Sequence, residues 1–422
     1  MAARVDRPRA AIIASGSELV RGDRYDRNGP FLAAELLRLG IEPVQIRLVG
    51  DGEEELTAAL ADGLDHDLLC VSGGLGPTHD DRTVELLARA AGVELRLDEA
   101  LESEIEAISR RASERLGRPY ADFAPGVSKQ ATLPVGAISV GLVGTAPAFV
   151  LDTGRAVAVA LPGPPRELQA LWPKVVASDT MQRLLARAQP PERRIVRFYG
   201  ASESAIAQSL AAAGGEEEGV EVTICAREFE IHVDVFSRPD AAEAAEALLS
   251  RLVEPVEEYL FTREEGTTAE LVLDLLRTRS LTLGTAESCT GGLVAARLTD
   301  VPGSSDVFRG AIVAYGNEVK AAQLAVPADV LATHGAVSAE TAAAMARGAR
   351  ERLGVDVAVA VTGIAGPDGG TEDKPVGLVF LHASGPQGDR AQRLDFPGDR
   401  ETIRTRSAVA ALHLVRRLVT ES

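Results

Sequence analysis

Apolar runs and helical spacings alternate along the first ninety residues. Residues 10–14 (Ala-Ala-Ile-Ile-Ala) predict a buried strand, and 29–39 carry helical spacing up to Gly40, which fits a C-cap. Residues 43–49 predict a second strand, 53–64 a helix, 67–72 a third strand ending in Gly73-Gly74, and 82–91 another helix. Such alternation of strand and helix predicts a doubly wound α/β layer. A charged helix over 98–116 follows. A stretch broken by Pro and Gly then runs to Trp172, with a strand at 156–161 and the turn Leu161-Pro162-Gly163-Pro164-Pro165.

The texture changes near 193. A strand at 193–199 and a helix at 201–213 lead to an acidic loop, 214–219. Residues 220–226 and 230–236 then alternate with period two, as in an antiparallel hairpin, and 241–253 form a helix. This reads as a small α+β unit. Beyond 263 the pattern returns to α/β: a helix at 267–279, a strand at 281–286, a helix from about 290, strands at 309–315, 355–361 and 376–383, and a final helix at 400–419. The expected division is 1–175, 176–262 and 263–422.

Composition sharpens this picture. A chain of 422 residues holds two or three domains at ~100–200 residues each. Aromatic residues make up only 4%, so Ala, Val and Leu must build the cores. No apolar run approaches the ~18 residues that span a bilayer, and the apolar run after the basic start is too short for a signal-peptide core. Cys70, Cys225 and Cys289 are too scattered for a disulfide framework or a zinc site. A cytoplasmic protein is expected. The net charge of −18 argues against nucleic-acid binding. Of 44 Lys and Arg, only four are Lys: Lys129, Lys174, Lys320 and Lys374. Where Arg serves every ordinary need for a cation, a remaining Lys suggests chemistry Arg cannot perform, such as losing its proton.

Two regions carry candidate chemistry. The loop Ser72-Gly73-Gly74-Leu75-Gly76-Pro77-Thr78-His79-Asp80-Asp81 joins a strand to a helix. Glycines there let backbone N–H groups approach an anion, and paired aspartates could hold a divalent metal. The plainer alternative is a tight turn with Asp80 or Asp81 as helix N-cap. Near the C-terminal end, Thr285-Ala286-Glu287-Ser288-Cys289-Thr290-Gly291-Gly292 follows an apolar strand and opens a helix. Ser288 is a candidate nucleophile beside helix N–H groups, or simply an N-cap, and Cys289 is a rival nucleophile. Tyr315-Gly316-Asn317-Glu318-Val319-Lys320 adds a phenol and one of the four lysines, and Val361-Thr362-Gly363-Ile364-Ala365-Gly366-Pro367 adds a hydroxyl and a Gly-rich turn. All three elements fall at the carboxyl ends of expected strands, where open α/β sheets bind ligands.

Together these motifs resemble the CinA family. The C-terminal set, with Asp368-Gly369-Gly370-Thr371, Lys374-Pro375-Val376-Gly377 and Gly398-Asp399-Arg400, is similar to the family's C-terminal domain over about 263–419. That resemblance implies deamidation of nicotinamide mononucleotide to nicotinate mononucleotide and ammonia, with no cofactor. Ser288 would be the nucleophile, Lys320 its base and Tyr315 an assistant, while Thr290, Gly291, Thr362, Gly363, Arg400 and Arg404 would bind substrate. The N-terminal loop, with Ala14-Ser15-Gly16-Ser17-Glu18-Leu19 and Gly144-Thr145-Ala146-Pro147, looks like the family's molybdopterin-binding-like domain. There the resemblance implies a nucleotide or pterin site at Glu18, Gly73, Gly74, Gly76, Thr78, Asp80 and Asp81, with Asp81 on a metal and ADP-ribose as a possible substrate. Asp23 and Asp26 stand where the family has amides, and each adds a charge that opposes a diphosphate by about 4 kcal/mol at ~4 Å. Residues 193–262 resemble a KH-type unit, yet lack its basic Gly-x-x-Gly loop. That segment reads as a spacer or dimerisation unit of a homodimer, with His232 structural. The alternative functions are a metal-dependent ADP-ribose pyrophosphatase and a non-enzymatic competence or DNA-damage protein.

Overall fold

The computed structural model describes residues 7–420. The chain packs as two compact units: one formed by the chain up to Arg193 with 216–221 and 236–246, the other by 194–215, 222–235 and the chain from Ala247 onward.

The first unit is built on β1 (Arg9–Ser15), β2 (Glu42–Val49) and β3 (Leu68–Ser72), a short ribbon of β4 (Leu95–Leu97) and β5 (Thr132–Pro134), and then β6 (Ile138–Gly141), β7 (Ala148–Asp152) and β8 (Val157–Leu161). The main sheet runs in the order β2-β1-β3-β8-β7-β6, parallel from β2 to β8 and antiparallel beyond. Both faces are covered. Ala11, Ile13, Leu69 and Val71 face the helices Glu53–Gly63, Thr83–Ala91 and Glu99–Leu116. Their neighbours Ala10, Ile12, Leu68 and Cys70 face Asn28–Arg38, Pro165–Val176 and Asp179–Leu185. Successive strand residues point to opposite faces, which is why a doubly covered strand reads as an unbroken apolar run. Strands β6 and β7 and most of the helix Pro165–Val176 lie within the stretch broken by Pro and Gly, and the helix Asp179–Leu185 lies just beyond it.

The second unit holds two sheets. One is β10-β11-β9-β12, from β9 (Glu192–Tyr199), β10 (Val220–Arg227), β11 (Glu230–Ser237) and β12 (Leu260–Thr262). Its hairpin turns through Glu228 and Phe229, both left-handed at φ +49° and +78°. Two consecutive positive φ values suit the twist of a two-residue hairpin, although neither residue is Gly. Phe229 packs edge-on against Phe396 with Arg406 over its ring, and Glu228 accepts from Arg297 at 2.6 Å. The other sheet is β14-β13-β15-β16-β17, from β13 (Leu283–Glu287), β14 (Phe308–Val313), β15 (Val357–Gly363), β16 (Leu378–Gly385) and β17 (Gly388–Asp395). Strands β14, β13 and β15 run parallel, and β16 and β17 antiparallel. Chain order reverses about β13, so the carboxyl ends of β14, β13 and β15 open on one side.

Buried Glu230 ties the small sheet to the final helix, Arg400–Thr420. Its carboxylate accepts from His413 at 2.8 Å, pairs with His232 at 3.2 Å and takes the Thr268 hydroxyl. His413 is stacked on Tyr199 and edge-on to Phe261. Burial draws His413 down to about 4; burial alone would raise Glu230, but hydrogen bonds from His232, His413 and Thr268 hold it at about 2. Both shifts have the same sign for stability: the folded protein binds fewer protons than the unfolded chain, so acid favours unfolding. Glu230→Ala leaves buried donors without an acceptor, and we expect it to cost about 3 kcal/mol. Urea unfolding should show that loss at pH 7, and the wild type should itself weaken as pH falls from 6.5 toward 4.

Candidate active site

Ser288 stands one residue beyond the end of β13, and Lys320 lies on the helix Asn317–Leu324 that follows β14. That helix is held close by Gly348 of the helix Ala339–Leu353: a Cβ there would lie 1.8 Å from the Leu324 carbonyl oxygen. The packing delivers Lys320, 1% exposed, to Ser288, with Nζ 3.0 Å from Oγ. The other two donor directions of Nζ meet the carbonyls of Ala314 at 2.9 Å and Tyr315 at 3.0 Å. A neutral amine has two N–H groups and one lone pair. With the carbonyls taking the two N–H groups, the lone pair is left for the Ser288 hydroxyl. Burial pulls the Lys320 ammonium below its ordinary value, and among the described residues no carboxylate is paired with it to restore the charge.

The N-cap alternative for Ser288 is not what the chain adopts. The helix starts at Leu293, five residues later, with Gly292 as its cap residue. Its first-turn donors go to Glu287, whose carboxylate accepts from Gly292 at 2.9 Å, Val294 at 3.1 Å and Ala295 at 2.9 Å. Those helix N–H groups are therefore engaged, contrary to the expectation that they face a reacting oxygen. Cys289 turns into the apolar core, 4% exposed, and burial pushes its thiol up to about 12. A thiol held neutral is a weak nucleophile.

Tyr315 meets Lys320 through its main-chain carbonyl. Its ring is 59% exposed, and its hydroxyl accepts from Arg400 Nη2 at 2.9 Å. Arg400 also donates to the Gly366 carbonyl at 2.7 Å, and Arg404 to the Thr290 carbonyl at 2.7 Å, beside Gly291. The Thr290 hydroxyl is buried without a partner. Thr362, at the end of β15, is fully buried and donates to the Ala336 carbonyl at 2.7 Å, and Gly363 is paired with Val379 in the sheet. Their side of the site is thus committed to holding the loop at 334–338. Lys374 grips the same loop through the carbonyls of His334 at 2.7 Å and Val337 at 2.8 Å. Lys320, Lys374 and Lys129, which donates to the Thr78 carbonyl, all serve main-chain oxygens. A compact ammonium fits such a cage better than a planar guanidinium.

In the first unit a cleft of about 770 Å³ lies at the carboxyl ends of β1 and β3. Glu18, Gly73, Gly74, Gly76, Asp80 and Asp81 line it. Gly73 has φ +100°, and a Cβ there would lie 2.3 Å from the Ser15 carbonyl oxygen, so only glycine fits. Thr78 is not on the wall, but its hydroxyl reaches both Asp80 and Asp81, and its N–H donates to Asp81 at 2.9 Å. Neither aspartate is the N-cap of the helix Thr83–Ala91, where Arg82 takes that place. Asp26, one residue before the N-cap Arg27 of the helix Asn28–Arg38, accepts from the Asn28 N–H at 2.9 Å and the Gly29 N–H at 3.1 Å. Asp23 is exposed. Glu167, unremarked in the sequence, also lines the cleft, and burial raises its carboxyl.

Residues 265–419 match the CinA C-terminal domain, 11–183 a probable molybdopterin binding domain and 193–263 the damage-inducible protein CinA KH domain. A CinA-like protein of Mycobacterium avium is 42% identical over 432 residues, covering 98% of this chain and 99% of the relative. The chain belongs to the CinA family. A CinA-like protein of Mycolicibacterium gilvum is 43% identical over 418 residues, covering 97% of this chain and 98% of that one. Among solved structures, the competence/damage inducible protein CihA of Agrobacterium tumefaciens matches 37% of this chain and 99% of its own length, with 40% identity and a TM-score of 0.35. The three matched segments follow one another in the order that the motifs suggested. Glu287 and Lys374 stand within the quoted motifs, but the motifs did not disclose their roles, because their partners are backbone groups fixed only by the folded turns. Among the described residues no helix is long and apolar enough to cross a membrane, and no three His, Cys, Asp or Glu side chains are grouped to hold a metal.

Proposed function

We propose that the second unit hydrolyses the carboxamide of nicotinamide mononucleotide, giving nicotinate mononucleotide and ammonia. The observation that carries this reading is the buried Lys320 Nζ at 3.0 Å from Ser288 Oγ, with its remaining directions filled by two carbonyls. Ser288 Oγ attacks the amide carbon as Lys320 takes its proton. The tetrahedral intermediate collapses as Lys320 returns that proton to the nitrogen, and ammonia leaves. Water, deprotonated by the neutral Lys320, then attacks the ester. Acid is released and Ser288 recovers its proton. Arg400 and Arg404 each keep N–H donors beyond those used on Gly366, Tyr315 and Thr290, and these suit the substrate phosphate.

Purified protein incubated with nicotinamide mononucleotide should release ammonia and nicotinate mononucleotide in equal amounts; no turnover would end the proposal. Because a Lys supplies the base, the reaction should survive chelation. Activity lost with EDTA and restored by zinc would overturn the Ser–Lys mechanism. In the cleft of the first unit, a divalent ion would be held by Asp80 and Asp81 and would offset phosphate charge. Two carboxylates leave most of its coordination to water and substrate, as Mg²⁺ prefers.

A further inference from the structure

We propose that Glu287 is the positioning residue of the nucleophile turn: its carboxylate fixes residues 288–292 so that Ser288 Oγ meets Lys320 Nζ. The inference rests on Ser288 being the nucleophile, as proposed above. Glu287 ends β13, is fully buried and stands next to Ser288 in the chain. An unpaired buried carboxylate is costly, and this one has no cationic partner among its hydrogen bonds. It is satisfied instead by three backbone N–H groups, those of Gly292, Val294 and Ala295, and by the Thr285 hydroxyl at 3.3 Å.

The arrangement closes a ring. One end of the turn is fixed in the sheet, since Ser288 N–H donates to the Val361 carbonyl at 2.9 Å and Ala314 N–H to the Glu287 carbonyl at 2.8 Å. The other end is the start of the helix Leu293–Thr299, which the Glu287 side chain draws back onto its own strand. Between them Gly291 and Gly292 adopt left-handed φ values of +62° and +96°. Such a turn has little stiffness of its own. The same strand end also sets the lysine, because the Ala314 carbonyl that Lys320 caps belongs to the residue whose N–H is bound to Glu287. Glu287 therefore holds the nucleophile from its side chain and registers the base through its main chain, while touching no reacting atom.

The test compares the full-length wild type with Glu287→Gln and Glu287→Asp. Gln keeps the shape but turns an NH₂ toward backbone donors; Asp keeps the charge but shortens the reach. Two readouts are followed: the rate of covalent labelling of Ser288 by a serine-reactive fluorophosphonate across pH 6 to 10, and kcat and KM for nicotinamide mononucleotide. Misplacing a reacting group by about 1 Å costs on the order of 10²-fold. We expect labelling and kcat to fall together by about that factor in Glu287→Gln, with KM changed less than about threefold, and Glu287→Asp to lie between. A folded Glu287→Gln that labels within threefold of wild type overturns the inference. Loss of fold in both variants assigns Glu287 to stability and overturns it too. Wild type that labels but leaves nicotinamide mononucleotide untouched would instead refute the substrate assignment, and the labelling comparison would still decide the role of Glu287.

Discussion

Ser288→Ala will lose on the order of 10³-fold or more in kcat, whereas Cys289→Ala will keep most of it. Removing a nucleophile ends the covalent route and leaves only binding and electrostatic help. The adjacent thiol is no substitute. Cys289 packs among the core residues beneath the strand end, and burial pushes its thiol up to about 12. Its removal should show as a lower melting temperature, since a void is left in the core. Ammonia release under single-turnover conditions separates the two variants. If Cys289→Ala were inactive and Ser288→Ala active, the nucleophile would be the sulfur.

Lys320→Arg will keep a positive charge near Ser288 and still lose about 10²- to 10⁴-fold in kcat, the usual contribution of general-base catalysis. Arg does not give up its proton in a protein, and it has no lone pair to offer Ser288 while donating to the Ala314 and Tyr315 carbonyls. Were Lys320 only a phosphate ligand, Arg would raise KM and leave kcat nearly intact. The pH profile gives the sign. The base works when neutral, so kcat rises with pH through the Lys320 pKa, and burial places that limb below the range of an ordinary lysine. The limb should vanish in Lys320→Arg, and added small primary amines should restore part of the activity of Lys320→Ala. A folded Arg variant with near wild-type kcat would end the general-base assignment.

The strands of the first ninety residues were legible because doubly covered strands leave continuous apolar runs between amphipathic helices. Other elements lack that signature. Strand β17, Gly-Asp-Arg-Ala-Gln-Arg-Leu-Asp, lies at a sheet edge and is mostly polar. The helix Ala339–Leu353 buries Ala and Gly rather than a stripe of large side chains, because its neighbour must approach backbone to backbone at Gly348. At the site, the residue types of Ser288 and Lys320 marked them as candidates, and the fold brings the two side chains together. Which competing role each residue takes depended on where the helix begins. A start at Leu293 rather than near Ser288 frees the hydroxyl from capping and gives Glu287 that task. Asp26 and Arg82 at the first unit's helix starts show the same limit.

The burial of Cys289 also bears on redox chemistry. Oxidation of cysteine proceeds through an accessible thiolate, and a thiol kept neutral inside a core offers none. Serine and lysine have no comparable reaction with peroxide. On the Ser288–Lys320 mechanism proposed above, peroxide should leave turnover of nicotinamide mononucleotide intact, where a cysteine nucleophile would be silenced.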